Sequence, residues 1–263
     1  MAIAMPLCSL QYVGSMSSIV KKLRVELIDR TSANAFVRRW HYSGKVVQNS
    51  SIHFGVFDCG VLSGVLSYGP PIDKNRAITI VPGTVWHGML ELNRMAFADR
   101  LPKNSESRCL AITLKMIKKQ YPFVQWVQTF ADACQCGDGT IYRAVGFLLI
   151  GIKKNQSLRV LESGKVVAKK TLDHHQRDGK YLSSLIKSTP LSGFQIKYVY
   201  FLDPTKRKDL TVPVLPYSAI SMAGAAMYKG KCAISSTVEH PAIQSEDDGS
   251  IPIVALHEVS NGS

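Results

Sequence analysis

The chain has 263 residues, 46% of them hydrophobic, with 32 Lys and Arg against 19 Asp and Glu and a formal net charge of +13 at pH 7. That length buries one good core, or one core with a smaller addition, and no apolar run reaches the roughly 18 residues of a membrane helix, so no membrane association is expected. Six cysteines spread along the chain argue against a disulfide scaffold and fit reducing, cytoplasmic conditions.

Residues 1–17 are apolar at first but lack a basic leader region and reach Gln11 early. They read as a flexible N-terminal segment rather than a secretion signal. A main domain is expected over residues 18–210. It starts with a short strand, LRVELI at 23–28, after which Thr31 or Ser32 caps a helix through ANAFVRRWHY, with Phe36, Val37 and Trp40 on one face. Gly44 stops that helix, whose carboxyl end therefore delivers His41 and Tyr42. Residues 51–69 read as a hairpin, IHFGVFD and VLSGVLSYG joined at Cys59 and Gly60, in which Gly55 and Gly64 permit a bulge or a close backbone approach.

Pro70 and Pro71 begin an irregular excursion to about residue 86, whose ITIVPGTVW is a candidate edge strand; HGMLELNRMAFAD then supplies a strand carrying Glu91, Asn93 and Arg94 among apolar neighbours. The most regular helix lies in LPKNSESRCLAITLKMIKKQ, residues 101–120. Asn104 or Ser105 caps it, and Leu110, Leu114 and Ile117 form a buried stripe beside Lys115, Lys118 and Lys119. Free N–H groups converge at its N-terminus, which makes Ser105 and Arg108 candidates for binding an anion or cofactor, although no phosphate-loop or dinucleotide glycine pattern accompanies them.

A strand over residues 123–131 leads into TFADACQCGDGTIYRAVGF at 129–147. The strand ends at Asp132, a polar glycine-bearing loop follows, and TIYRAVGF makes a short helix stopped by Gly146. Open α/β folds bind ligands at the carboxyl ends of strands, which singles out Asp132 and, ten residues on, Tyr142. The alternative is a tight turn shaped by Gly137 and Gly139 and capped by Asp132 or Thr140. LLIGI, SLRVLES and KVVAKKTL then read as strands, DHHQRDGKYLSSLI as a polar stretch, and FQIKYVYFLD as a strong final strand with alternating faces. Residues 151–210 carry 13 Lys and Arg against 5 Asp and Glu, a density that suits a polyanion such as nucleic acid, although basic charge alone equally serves solubility, ribosome association or a membrane surface. Residues 211–263 are rich in Pro, Ala, Gly and Ser and turn acidic; they read as a low-complexity, partly disordered tail whose apolar portion packs on the core or on a partner.

The order hairpin, strand, helix, strand, short helix, strand resembles the GCN5-related N-acetyltransferases. The fold expected is therefore α/β, a mixed central sheet with flanking helices. The coenzyme A signature of those enzymes, Arg or Gln followed by x-x-Gly-x-Gly or Ala ahead of a helix, is replaced here by ESRCLAI at 106–112, so coenzyme A is not the expected cofactor. A closer resemblance lies in four segments taken in order: RWHYSGK at 39–45, ELNRM at 91–95, PKNSESR at 102–108 and FADACQCGDGTIYRAVGF at 130–147. Together they resemble the bacteriophage Mom family of DNA adenine-modifying proteins over roughly residues 36–150. The resemblance implies an enzyme that places a carbamoylmethyl group on adenine N6 and so protects phage DNA from host restriction. It also implies dependence on iron and action in the host cell cytoplasm, and it carries function onto His41, Tyr42, Arg94, Asp132 and Tyr142. The organic donor is left unidentified, and a homodimer is a further expectation.

Each of these residues has a bland alternative. His41 accepts a proton or binds a metal, or it only caps a helix. Tyr42 and Tyr142 ligate oxidised iron, stack on a base or donate a proton, or they are aromatic packing. Asp132 ligates iron, orients His41 or accepts a hydrogen bond from the exocyclic amine, or it stabilises a turn. Arg94 holds a carboxylate-bearing donor or a DNA phosphate, or it pairs with Glu91 or Asp99. Cys134-x-Cys136 with His174 and His175 compares poorly with structural zinc, whose usual element is Cys-x2-Cys. Trp86, beside His87 in the irregular excursion, is core or a surface on which a base stacks. Two rival functions stand beside DNA modification: an acetyl-CoA-dependent N-acetyltransferase, and a non-catalytic DNA-binding protein on the same scaffold.

Overall fold

The computed structural model describes residues 23–135, 137–169, 172 and 187–226. The expected N-terminal segment, Cys136, His174, His175 and residues 227–263 lie outside the described residues. Strand β1 is Arg24–Leu27, and helix α1 is Arg30–Trp40. The cap of α1 is Asp29, whose carboxylate accepts the Ser32 N–H at 2.9 Å; Thr31 and Ser32 lie inside the first turn instead of capping it. The hairpin is β2, Ile52–Asp58, and β3, Val61–Gly69, with Cys59 (φ 50°) and Gly60 (φ 83°) supplying the two left-handed residues of its turn.

The excursion after β3 forms α2, Lys74–Ile78, and turns, not the expected edge strand. Pro82 has no N–H for a ladder, and the segment is tied down through side chains: Thr84 Oγ1 donates to Val81 O at 2.6 Å and accepts the Trp126 indole N–H at 2.9 Å. There follow β4 (Met89–Phe97), α3 (Ser105–Gln120), β5 (Trp126–Asp132), α4 (Thr140–Val145) and β6 (Leu148–Lys154). After them come β7 (Leu158–Leu161), β8 (Val166–Ala168), β9 (Ser188–Pro190), β10 (Phe194–Phe201), a 3-10 turn at Pro204–Asp209 and α5 (Ser218–Met222).

Seven strands make one sheet in the order β1-β2-β3-β4-β5-β10-β6, and β8-β7-β9 make a second, smaller one. Every pairing in the large sheet is antiparallel except β4 with β5. The fold is thus the expected α/β arrangement, a mixed central sheet flanked by helices in the order of an acyltransferase-like fold. One face packs Leu90, Leu92, Val127, Ile196 and Tyr198 against the Leu110, Leu114 and Ile117 stripe of α3. On the other face, Met89, Trp126, Ile150 and Val199 meet Ala77, Ile80 and Val81, while α1 covers Val65 and Ala96 with Ala33, Phe36 and Val37. The start of the segment read as a tail also lies on this body: Tyr217 donates its hydroxyl to Phe147 O at 2.6 Å, and Ile220 and Ala225 are buried in the main core. No described helix is long and apolar enough to cross a membrane.

The β4–β5 ladder is short. It holds Met89 to Trp126, Leu90 to Val127 and Glu91 to Gln128, and then ends. At that point β4 carries a bulge against β3, where Tyr68 pairs with Leu92 but Ser67 pairs with Arg94, leaving Asn93 as the extra residue. Beyond the bulge β4 stays with β3 as far as Phe97, and β5 stays with β10 as far as Asp132. The sheet forks between them.

The loop after β5 is fixed by Asp138, whose carboxylate accepts from Thr140 N and Oγ1 and from Arg143, at 2.8–3.2 Å. Gly139 follows at φ 85°, and a Cβ there would meet the Tyr198 ring at 2.5 Å. Both the left-handed backbone and the contact exclude a side chain. Gly139→Ala is expected to lower stability by about 2 kcal/mol in urea unfolding; an unchanged midpoint would contradict this account of the loop.

Candidate active site

Strand β5, WVQTFAD, has two unlike faces. Val127 and Ala131 point into the α3 core, whereas Trp126, Gln128, Phe130 and Asp132 share the other face by the two-residue period of a strand. Asp132 therefore stands at the carboxyl end of β5 on the side covered farther along by α1. Its Oδ1 accepts the Cys134 N–H at 3.1 Å, a turn role, and its Oδ2 accepts the Tyr42 hydroxyl at 3.3 Å. Tyr42 arrives from the end of α1, where His41 is the C-cap residue and donates its N–H to Val37 O. The His41 and Tyr42 ring centroids lie 4.3 Å apart. Three residues separated by 90 positions in the chain thus meet where a helix and a strand both end.

Arg94 joins them through the bulge, because the extra residue at Asn93 turns Arg94 to the same face as Glu91. Its Nε donates to Lys45 O at 2.7 Å and one terminal nitrogen donates to Asn93 O at 2.7 Å. Those bonds hold the guanidinium by backbone carbonyls rather than by Glu91 or Asp99, the ion-pair partners considered from sequence. Burial lowers its pKa, against the pull of Tyr42 and Glu91. Burial, and secondarily the Arg94 charge, push His41 down to about 4, so the imidazole is neutral near pH 7. Its Nδ1 accepts the Ser43 N–H at 3.2 Å and lies 2.8 Å from Ser43 Oγ, which places the proton of the neutral imidazole on Nε2.

The same face carries further polar groups. Glu91 is buried and its carboxyl is pushed up by that burial, against a 2.7 Å hydrogen bond from Gln128 Nε2. The Gln128 amide oxygen is buried with no hydrogen-bond partner among the described residues. Lys197 on β10 is pushed down to about 8, first by burial, while Glu91 opposes the shift; its Nζ lies 5.3 Å from the Phe130 ring centroid. A lone Lys in the alternating FQIKYVYF strand, and Gln128 and Asp132 alternating with aromatics in β5, are the signals that mark this face.

Tyr142 is positioned by other neighbours. Its ring sits between Phe147 and Tyr198, with centroids at 5.6 and 5.5 Å, partly buried against the main core. Ser105 is fully buried and donates its hydroxyl to Pro102 O at 2.6 Å, which makes it part of the turn into α3; Arg108 is exposed. Asn104, with φ 67° and no side-chain cap bond, precedes that helix. Among the described residues no three His, Cys, Asp or Glu side chains form a metal-binding group. The His41, Asp132 and Tyr42 set reaches three donors only by counting the phenol.

The model of the Mom protein family matches residues 22–219. The chain belongs to the Mom protein family. Among relatives, this Mom family member is 36% identical over 219 residues to the methylcarbamoylase Mom of Escherichia phage Mu, covering 80% of this chain and 90% of that protein. Among solved structures, the IAA acetyltransferase of Bacillus cereus aligns at 12% identity over 68% of this chain and 99% of its own, with a TM-score of 0.40. FeeM, an N-acyl amino acid synthase from uncultured soil microbes, aligns at 17% identity over 72% and 95% of the two chains, with a TM-score of 0.41. The fold assignment is carried by the strand order and the single parallel pair, not by these likenesses.

The electrostatics of the site make a direct prediction. An NMR titration of His41 is expected to give a midpoint near 4, moving upward in an Arg94→Met variant as one of the two causes of the depression is removed. The imidazole then costs stability as it charges, so the fold loses stability as pH falls from about 6.5 toward 4. A midpoint at 6.5 in the intact protein would contradict a buried His41 beside Arg94.

Proposed function

We propose that this protein is a DNA-modifying transferase that attaches a carbamoylmethyl group to N6 of adenine, acting on DNA in the host cell cytoplasm. The observation that carries the reading is the match to the phage Mu methylcarbamoylase over 80% of this chain and 90% of that protein. The side chains at the fork suit the chemistry. Adenine N6 is a poor nucleophile because its lone pair is delocalised into the ring, so it needs orientation and a proton acceptor as charge develops. Asp132, held by Tyr42, accepts a hydrogen bond from the exocyclic amine; the carbon–N6 bond forms, the donor's leaving group departs with its electron pair, and the N6 proton passes to Asp132 or His41.

Arg94 offers that step an anion site. At a pKa of about 4 His41 is a weak base. An anionic donor or phosphate seated against Arg94 offsets the lesser of the two influences that hold the imidazole down, burial being the larger. Iron would take the same lone pairs in place of a proton: His41, Tyr42 and Asp132 would hold it through one imidazole and two oxygen donors, a set compatible with iron, leaving proton acceptance to the carboxylate oxygen it does not bind. Bound there, it would supply Lewis-acid or redox chemistry toward the donor. The adenine must leave the duplex stack to reach the fork, unless the substrate is single-stranded.

Nucleoside mass analysis of DNA from cells expressing the full chain tests the reading. A new deoxyadenosine species heavier by one carbamoylmethyl group is expected, falling by about a hundredfold or more with Asp132→Asn. Unmodified DNA from cells holding folded protein and adequate iron would overturn the assignment, and full activity in the Asp132→Asn variant would remove Asp132 from the chemistry.

A further inference from the structure

The outward face of β5 holds a large aromatic ring left half in solvent. Phe130 is 44% exposed although β5 lies in the interior of the seven-stranded sheet, between β4 and β10. Its neighbours in strand parity are committed: Trp126 is fully buried beneath the residue 74–86 excursion, and Gln128 is bonded to Glu91. Single exposed apolar side chains are ordinary on protein surfaces. This one differs in its position. Asp132 is the next residue on the same face, about 7 Å further along the strand, and the second exposed aromatic there, Tyr42, 52% accessible, donates to that carboxylate. Across the ladder Phe130 pairs directly with Lys197, whose ammonium lies 5.3 Å from the ring centroid and so gives one flank of the ring a positive charge.

We propose that Phe130 is the stacking platform for the extruded adenine, with Asp132 at the edge where the exocyclic amine comes to rest. The assignment rests on the DNA-modifying reading above and adds the surface that positions the base. A purine offers a flat π-face, and base–aromatic stacking is strong enough to hold an unpaired base without reading its sequence. Lys197, beside the ring, supplies a cation for the phosphate that follows the extruded nucleotide around the fork. The rival platform is Trp86, 40% exposed and stacked by Lys74 with Nζ 3.6 Å from the ring centroid. Trp86 precedes β4, at the end of the parallel pair where Met89 meets Trp126. Asp132 lies six residues farther along β5, roughly 20 Å away. A base on Trp86 therefore cannot present its amine to Asp132.

The test uses the full chain in cells, with nucleoside mass analysis of the DNA and thermal unfolding of each purified variant. Phe130→Leu is expected to cut adenine modification about tenfold with the unfolding midpoint unchanged, because the side chain it trims is half in solvent. Phe130→Tyr, which keeps the ring, retains most of the activity, and Trp86→Leu leaves it intact. As a second measurement, the unsubstituted protein is irradiated with a single-stranded oligonucleotide carrying 8-azidoadenine, and the adduct is expected on Phe130 or its immediate neighbours. Wild-type levels of modification in Phe130→Leu, equal loss in Phe130→Leu and Phe130→Tyr, or an adduct on Trp86 would each overturn the inference. Absence of modified adenine with the intact chain would instead overturn the DNA-modifying reading on which it rests.

Discussion

The site depends on the point at which β4 and β5 stop pairing. Parallel neighbours in a sheet ordinarily share hydrogen bonds along their common length, yet here the ladder lasts from Met89 to Glu91 on one strand and from Trp126 to Gln128 on the other. The extra residue at Asn93 bends β4 onto β3, and Thr129 Oγ1 reaches Leu92 O at 3.4 Å across the crotch of the fork. Two strands of one rigid sheet thus diverge toward their carboxyl ends, where open α/β folds receive ligands. The opening is built from regular strands, so the groups beside it are held by ladders on their outer sides.

The same bulge decides the electrostatics. Without it Arg94 would face the α3 core; with it, Arg94 comes to the side of Glu91, His41 and Tyr42. Burial first, and the Arg94 charge second, depress the His41 pKa, and the backbone carbonyls of Lys45 and Asn93 hold the guanidinium in place. A cation held in that way attracts an anion more strongly than one already paired. Lys197 and Glu91, both shifted toward their neutral forms by burial, extend this environment inward along the sheet.

The local elements were legible in the sequence wherever periodicity met a clear stop. The hairpin bounded by Cys59 and Gly60, the Leu110, Leu114 and Ile117 stripe, and the alternation in FQIKYVYF each corresponds to an element of the structure. Capping was misread at α1 because Asp29, Thr31 and Ser32 are all good caps, and only geometry shows which oxygen reaches Ser32 N. ITIVPGTVW has the composition of a strand, but it satisfies its polar groups through Thr84 and Trp126, a partnership 42 residues apart. The meeting of His41 and Tyr42 with Asp132 was legible only through family resemblance, since nothing local joins the end of one helix to the end of a distant strand. Phe130 and Lys197 were hidden for the opposite reason: each sits in a strand apolar enough to read as core.

Under the proposed function, adenine reacts in the fork between β4 and β5. A crystal structure of the full chain with an adenine-containing oligonucleotide tests it most directly. The expected result is an unstacked adenine between the diverging strands, with N6 within hydrogen-bond distance of the Asp132 carboxylate and a phosphate or donor anion against Arg94. A base bound on the α3 side of the sheet, or DNA held beside Trp86 with the fork empty, would contradict it.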